Sequence, residues 1–302
     1  PAISLTGTAL TNGFKLRFSL TNANWASGDY WHVDDVCLTP IIEIPDPVIE
    51  YRFDELEWNG NINEVIDSSG YNNHAVADSA SNTSTTSDGK ICRAANFEGS
   101  GQHLDTPTLT TLESTSSLSF WIKTTQRASN TRSWSAPGIT GVEQSGDSKD
   151  IFWGWISDQG KIGLAQGNDD DNYSNTVISD DSYHHVVLTF DENTREVTIY
   201  IDGKLDKTPP TQTNSDPINF SFNQIGYFRR TDGSTPNYLD AIIDEFIVFD
   251  EILDADQAKK IYDLQEAGKN LDGSLRNCTP PPPTVCFSDD FQRLDLGNDW
   301  AL

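Results

Sequence analysis

The chain of 302 residues contains no methionine, not even at its first position, so we expect an internal fragment or a processed product. It also lacks any run of the roughly 18 uninterrupted apolar residues that a membrane-spanning helix needs, and no signal peptide is visible. Any export signal is therefore expected upstream of Pro1. Positive charge is scarce: 20 Lys and Arg stand against 46 Asp and Glu, a formal net charge of −26. A surface of that sign repels phosphate backbones, which argues against nucleic acid as a partner. The excess carboxylate favours solubility in a salty medium. Some of it is also suited to divalent cations, hard ions that prefer oxygen ligands. Only four cysteines are present, Cys37, Cys92, Cys278 and Cys286, and none forms the CxxC spacing of a zinc site. An even count in an acidic chain rich in Asn, Thr and Ser points to an oxidising, exported setting.

Catalytic signatures are missing as well. A laminarinase-type hydrolase carries two carboxylates on one strand face in an E-x-D-x-x-E run, which sets acid and nucleophile side by side. No such run occurs, and Asp54-Glu55-Leu56-Glu57 has the wrong spacing. Neither G-x-S-x-G, H-E-x-x-H nor a P-loop is found. We expect a chain that is not an enzyme, with a glycoside hydrolase-type domain kept as a minor alternative.

What the sequence does hold is strands. Val186, Leu188 and Phe190 alternate with His185, Val187 and Thr189, the period of a half-buried strand. Turn formers Asp191 to Thr194 follow, and then Val197, Ile199 and Ile201 share one face, with Thr198 and Tyr200 on the other. Asp202-Gly203 suits a hairpin turn that needs positive φ. Further strands are expected at 117–123, at 151–156, through Ile218, Phe220 and Phe222, and at 241–249, with a long loop over 127–144. Simple alternation would put Trp153 and Trp155 on one face, where both read as core. One helix is expected over 255–267, capped by Asp254 with Gln257 three residues on, and ended by Gly268. Its apolar face is Ala258, Ile261, Tyr262 and Leu264.

The residues themselves carry a resemblance. His184-His185-Val186, Thr189-Phe190-Asp191 and Tyr200-Ile201-Asp202-Gly203 resemble the WHHVA…TYDG…LYVDG meander of laminin-G-like modules, with Tyr183 where that family often has Trp. Tyr51-Arg52-Phe53-Asp54 is similar to the opening strand, and Asp67-Ser68-Ser69-Gly70 with Asn73-His74 to the DSSG…NHG loop. Leu118 to Lys123 and Ile243 to Phe249 resemble SFWVK and IDEVRIY in the same order. The resemblance implies an all-β, concanavalin A-like jelly-roll β-sandwich with one short C-terminal helix.

It also sets the expected organisation: the tail of a preceding β-sandwich module at 1–40, a linker at 41–48, the laminin-G-like domain at 49–278, a proline-rich linker at 279–287, and the start of a further concanavalin A-like module at 288–302. Such an order is similar to modular pilus-biogenesis surface proteins of bacteria, which implies an extracellular or cell-surface location. Of the three cysteine connectivities we expect Cys92–Cys278, tying the core to the module's end, with Cys278–Cys286 as the rival.

Members of this group often hold a calcium between an early loop and the last strand. By resemblance Asp67 and Asp244 are its side-chain ligands, with carbonyls near Gly70 and Asn73. The alternative is that Asp67 caps a turn and Asp244 bonds a neighbouring strand. For a glycan or surface-protein partner, a rim of Tyr227, Arg229 and Arg230 with the acidic loop residues Asp169 and Asp171 is the candidate, because sugar rings stack on aromatic faces and Arg forks onto hydroxyls. Two functional expectations result. One is a lectin-like adhesion module. The other is a structural spacer or pilus-assembly module that contacts neighbouring β-sandwich modules of the same chain and binds no sugar.

Overall fold

The computed structural model describes residues 42–144, 146, 149–167, 172–208, 211–212 and 221–278. The expected preceding module, the strand through Ile218 and Phe220, the acidic loop with Asp169 and Asp171, Cys37, Cys286, the proline linker and the terminal module start lie outside the described residues.

Sixteen strands and one α-helix form among the described residues. In chain order they are β1 (Ile49–Tyr51), β2 (Val76–Ala77), β3 (Ser84–Thr86), β4 (Ala94–Glu98), β5 (Leu104–Asp105), β6 (Ser116–Lys123), β7 (Thr140–Glu143) and β8 (Ile151–Ile156). Then follow β9 (Lys161–Gln166), β10 (Tyr173–Val177), β11 (Tyr183–Asp191), β12 (Glu196–Ile201), β13 (Lys204–Lys207), β14 (Gln224–Ile225), β15 (Arg229–Arg230), β16 (Asp240–Phe249) and α1 (Ala255–Glu266). The larger sheet runs β13-β12-β11-β6-β16-β4-β3, with β1 also on β16. A second sheet runs β10-β9-β8-β7-β15, and a small third one β14-β5-β2. The stretch read as a long loop therefore contains a strand, β7, and a short 3₁₀ turn at Ser133–Ser135.

The two larger sheets pack face to face. Val186, Leu188 and Phe190 of β11 and Val197, Ile199 and Ile201 of β12 enter the same core as Val142, Ile151, Trp153, Ile162 and Leu164 of the other sheet. The alternation legible in the meander is thus the inside–outside alternation of a sandwich. On its outer face the larger sheet carries Val187, Tyr200, Ile247 and Phe249, and α1 covers them with Ala258 and Ile261. The Asp254–Gln257 capping box is formed as expected. The second sheet has its own outer cluster, Phe152, Trp155, Ala165 and Phe228, covered by Ala128 and Ala136 from the 127–138 loop.

Two bulges decide which side chains face where. Gly154 adopts φ 71°, and a Cβ there would sit 2.3 Å from Ile139 Cγ1. The extra residue leaves Trp153 in the inter-sheet core and turns Trp155 to the outer cluster, so the two tryptophans do not share a face. In β16 the register against β6 shifts between Asp244 and Ile247, with Glu245 at φ 52°. Ala241 and Ile243 point inward before the bulge, and Phe246 and Val248 after it.

That second bulge aims Glu245 at the C-terminal strap. Arg276, its side chain 3% exposed, donates from Nη2 to both Glu245 carboxylate oxygens at 2.7 and 2.6 Å. Its Nη1 donates to Asp54 at 2.8 Å. Gln265 of α1 donates to Glu245 and accepts the Trp121 indole N–H, tying helix, sheet and strap together. Two residues on, Cys278 is disulfide-bonded to Cys92, Cα to Cα 5.1 Å, the expected pairing. Closing a loop with a separation of 186 residues removes about 5 kcal/mol of unfolded-state entropy in the chain-entropy account. At the far edge, Asp206 of β13 reaches β10 and accepts the backbone N–H groups of Asn175 and Thr176 at 2.5 and 3.1 Å.

Removing the guanidinium leaves Glu245 buried without its cation. Arg276→Met is expected to cost about 3–5 kcal/mol in urea denaturation, the range for breaking a buried ion pair. A loss below ~1 kcal/mol would mean that the strap is held by the disulfide alone.

Candidate functional site

The link between β14 and β15, Gly226-Tyr227-Phe228, gathers the accessible chemistry of the module. β14 is fixed against β5, with Leu104 opposite Ile225 and Asp105 opposite Gln224, and this brings His103 up to Tyr227. Gly226 takes φ 115°, and a Cβ there would lie 2.9 Å from the Gln102 carbonyl oxygen and 3.0 Å from the Phe97 ring. Only glycine lets the chain cross so close. Phe228 is 2% exposed and meets Phe152 edge-on at 5.1 Å.

Tyr227 is half-buried, with its ring edge-on to His103 and to Tyr238, each centroid at 5.3 Å. Both contacts have the geometry that aromatic quadrupoles favour. Burial first, then the nearby Asp105, raise the pKa of the Tyr227 hydroxyl, which stays neutral and able both to donate and to accept. Arg229 is exposed and donates from Nη1 to the Ser221 carbonyl, leaving the rest of its fork toward solvent. The patch is therefore three rings in edge-on contact, with one guanidinium and the carboxylates of Asp78 and Asp105 around them.

Of the expected rim, the structure brings Tyr227 and Arg229 together. Arg230 is directed elsewhere, donating to Ser234 Oγ at 2.7 Å and to the Trp134 carbonyl at 3.0 Å. Sequence reading missed His103, Asp105 and Tyr238. No local spacing links them to Tyr227; only the β5–β14 register does, and β14 is two residues long.

The residues expected to hold calcium are arranged otherwise. Asp67 Oδ1 accepts the N–H groups of Glu50 and Ser69 at 2.9 and 3.0 Å. Its Oδ2 accepts Ser69 Oγ and the Asn73 N–H, both at 2.8 Å. Four donors fill the four lone pairs of this carboxylate, and a cation in their place would face the positive ends of N–H dipoles. The Asn73 carbonyl is taken by the Tyr51 hydroxyl. Asp244 accepts the N–H groups of Ile91 and Glu245 at 2.9 and 2.8 Å, and burial, then the charge of Glu245, raise its pKa well above the carboxylate range. Asp67 is a turn cap and Asp244 a strand tie, so this set does not fit a calcium ion. Among the described residues no three His, Cys, Asp or Glu side chains gather as metal ligands.

The histidine pair has no catalytic geometry. His185 is fully buried, its Nε2 3.0 Å from Ser119 Oγ, and burial pushes it down to about 3. A serine and histidine both at 0% exposure meet no substrate. His184 lies between Asp202, 2.9 Å from Nδ1, and Asp180, 3.4 Å from Nε2. The hydrogen bond it donates to Asp202 raises its pKa, against a smaller desolvation effect.

The family model described as the concanavalin A-like lectin/glucanases superfamily matches residues 98–259, just over half of the chain. No curated protein matches the chain by sequence. Among solved structures, it is similar to domain 4 of AbnA, a GH43 extracellular arabinanase from Geobacillus stearothermophilus solved with arabinotriose. The identity is 19% and the TM-score 0.51, over 73% of this chain and 100% of that one. The botulinum neurotoxin serotype D binding domain aligns at 17% identity and TM-score 0.47, over 72% of this chain and 51% of that one.

Two outcomes are expected from the site's local structure. Gly226→Ala forces a side chain into a positive-φ position against backbone, and should cost about 1–3 kcal/mol in chemical denaturation while disturbing the Tyr227 ring contacts. Unchanged stability would show that the β14–β15 link tolerates a Cβ. For His184 the folded pKa lies above the unfolded value of 6.5, so the folded state binds more protons as pH rises through that window. The stabilisation is fully present below pH 6.5 and fades as pH climbs through the raised folded pKa. Melting temperatures of the wild type and His184→Gln should therefore differ most in acid and converge in base. The reverse order would contradict the Asp202–His184 assignment.

Proposed function

The chain belongs to the concanavalin A-like lectin/glucanase superfamily, and from this we propose that it is a non-catalytic, lectin-like module whose glycan site is the Tyr227–Tyr238–His103 patch with Arg229. The observation that carries this reading is the edge-on ring cluster, half-buried and rimmed by hydrogen-bonding groups, on the β14–β15 link. Apolar faces of pyranose or furanose rings pack on aromatic surface, and a guanidinium with flanking carboxylates orients the hydroxyls. The sugar-complexed arabinanase domain has the same fold and is consistent with this use, although at 19% identity the likeness speaks for fold alone.

A non-enzymatic role is part of the proposal. Glu143 and Asp150 form a buried carboxyl pair at hydrogen-bonding distance from each other. Glycosidases set their carboxyls about 5–9.5 Å apart, with room for the sugar between them. The parent is proposed to be an exported bacterial surface protein of the MshQ-like, MSHA pilus-biogenesis type, on the strength of the module order read in the sequence. In the alternative reading the module is a spacer in that array and contacts only its neighbours.

A glycan array probed with the full chain, in calcium and again in EDTA, separates the two. Binding in both conditions is expected, since ring stacking and Arg229 need no metal. Tyr227→Ala should weaken it at least tenfold, about 1.4 kcal/mol, within reach of one aromatic contact. Silence across the array from a protein with native circular dichroism would sink the lectin reading and leave the spacer.

A further inference from the structure

The charged groups around the Tyr227 rings are not equally free. Asp78 is spent on its own chain: it accepts the backbone N–H groups of Ala80 and Ser81 at 3.2 and 3.0 Å, and Ser81 Oγ at 2.6 Å. Asp105 is not. Its side chain is 59% exposed, and among the described residues none donates a hydrogen bond to it. His103 Nε2 lies 3.8 Å from its Oδ1, beyond hydrogen-bonding distance. The other ring nitrogen, Nδ1, is 2.8 Å from the Gly101 carbonyl, which can only accept, so the ring carries its proton there. Asp105 also sits in the middle strand of the small third sheet, opposite Gln224 of β14 and Val76 of β2, so its backbone is held from both sides. Arg229 gives Nη1 to the Ser221 carbonyl, and among the described residues no carboxylate pairs with it. One Tyr227 ring thus has beside it an unused acceptor and the unused part of a guanidinium fork.

We infer that Asp105 sets the class of glycan this site takes: uncharged sugars are bound, and uronate, sialylated and sulfated sugars are turned away. The inference rests on the lectin reading above. A sugar hydroxyl both donates and accepts, so one ring can donate to Asp105 while accepting from Arg229. A carboxylate or sulfate only accepts. It finds Arg229, but it leaves Asp105 without a donor and sets a like charge beside it, a repulsive element of the kind that specificity needs. Around Tyr227 the carboxylates of Asp78 and Asp105 stand two to one against the Arg229 guanidinium. A protonated His103 would only balance that count, within a chain of net charge −26. In neither state of the imidazole is the patch positive, so Arg229 orients hydroxyls here and does not serve as an anion clamp.

The test is an array of uncharged, uronate-containing, sialylated and sulfated glycans, probed with the full chain and with Asp105→Asn at about 0.15 M and about 1 M sodium chloride. The wild type should bind uncharged glycans, with their acidic counterparts weaker by roughly three- to tenfold, the effect of one like charge at about 6 Å. In about 1 M salt the Debye length falls to about 3 Å, and that gap should close while the uncharged hits persist. Asp105→Asn keeps the shape and gives the site a donor, so it should narrow the gap by a similar factor at low salt. A merely structural role for Asp105 would instead weaken all glycans alike and leave the gap unchanged. Should the variant fail to fold, the salt series of the wild type decides by itself. Acidic glycans among the strongest wild-type signals, or a gap that salt or the variant leaves unchanged, overturn the inference while the lectin reading stands. Silence across the whole array ends the lectin reading, and this inference with it.

Discussion

The guanidinium of Arg276 is the contact on which the rest of the module depends. It enters the protein from the last described segment and meets Asp54, three residues past β1, and Glu245 from the central strand. Gln265 carries the connection on to α1 and to Trp121. First strand, central strand, helix and strap are therefore fixed by one planar group, and the Cys92–Cys278 bond closes the same corner covalently. The cation is necessary because the corner is rich in carboxyls: burial first, and then the charge of Asp54 among others, raise the pKa of both Asp244 and Glu245, and Arg276 opposes this at Glu245. A buried charge of this kind adds little net stability over an apolar substitute, but it ensures that only one docking of the strap leaves no carboxylate bare.

Much of the fold was legible because strand alternation is a local signal. Val186, Leu188 and Phe190 read as inward from the sequence, and inward they are. The helix and its cap were equally local, with Asp254 and Gln257 three positions apart. The failures share one cause. A bulge inserts a single residue and reverses every face after it, and nothing in Trp153-Gly154-Trp155 says that Gly154 is that residue until Ile139 is found pressing on its Cα. The same is true of Glu245, whose positive φ has no glycine to announce it.

The site was half-legible for a related reason. Tyr227 and Arg229 were visible as an aromatic and a basic residue after a strand. His103, Asp105 and Tyr238 join them only through the pairing of two very short strands and the close crossing at Gly226. The calcium set shows the opposite limit. A motif names residue types, but whether Asp67 offers its oxygens to a metal or to the chain is decided by where four donors point.

The stitch between β13 and β10 has one further consequence. These are the outermost strands of two different sheets, and an open strand edge is a template for another chain. Asp206 fills the backbone donors of Asn175 and Thr176 with its own carboxylate, while Lys204 and Lys207 place charge along the neighbouring edge. A second copy approaching this side finds donors already taken and ammonium groups in the way. Tandem β-sandwiches at high local concentration are prone to zipping into continuous sheets; this edge is built to remain a boundary.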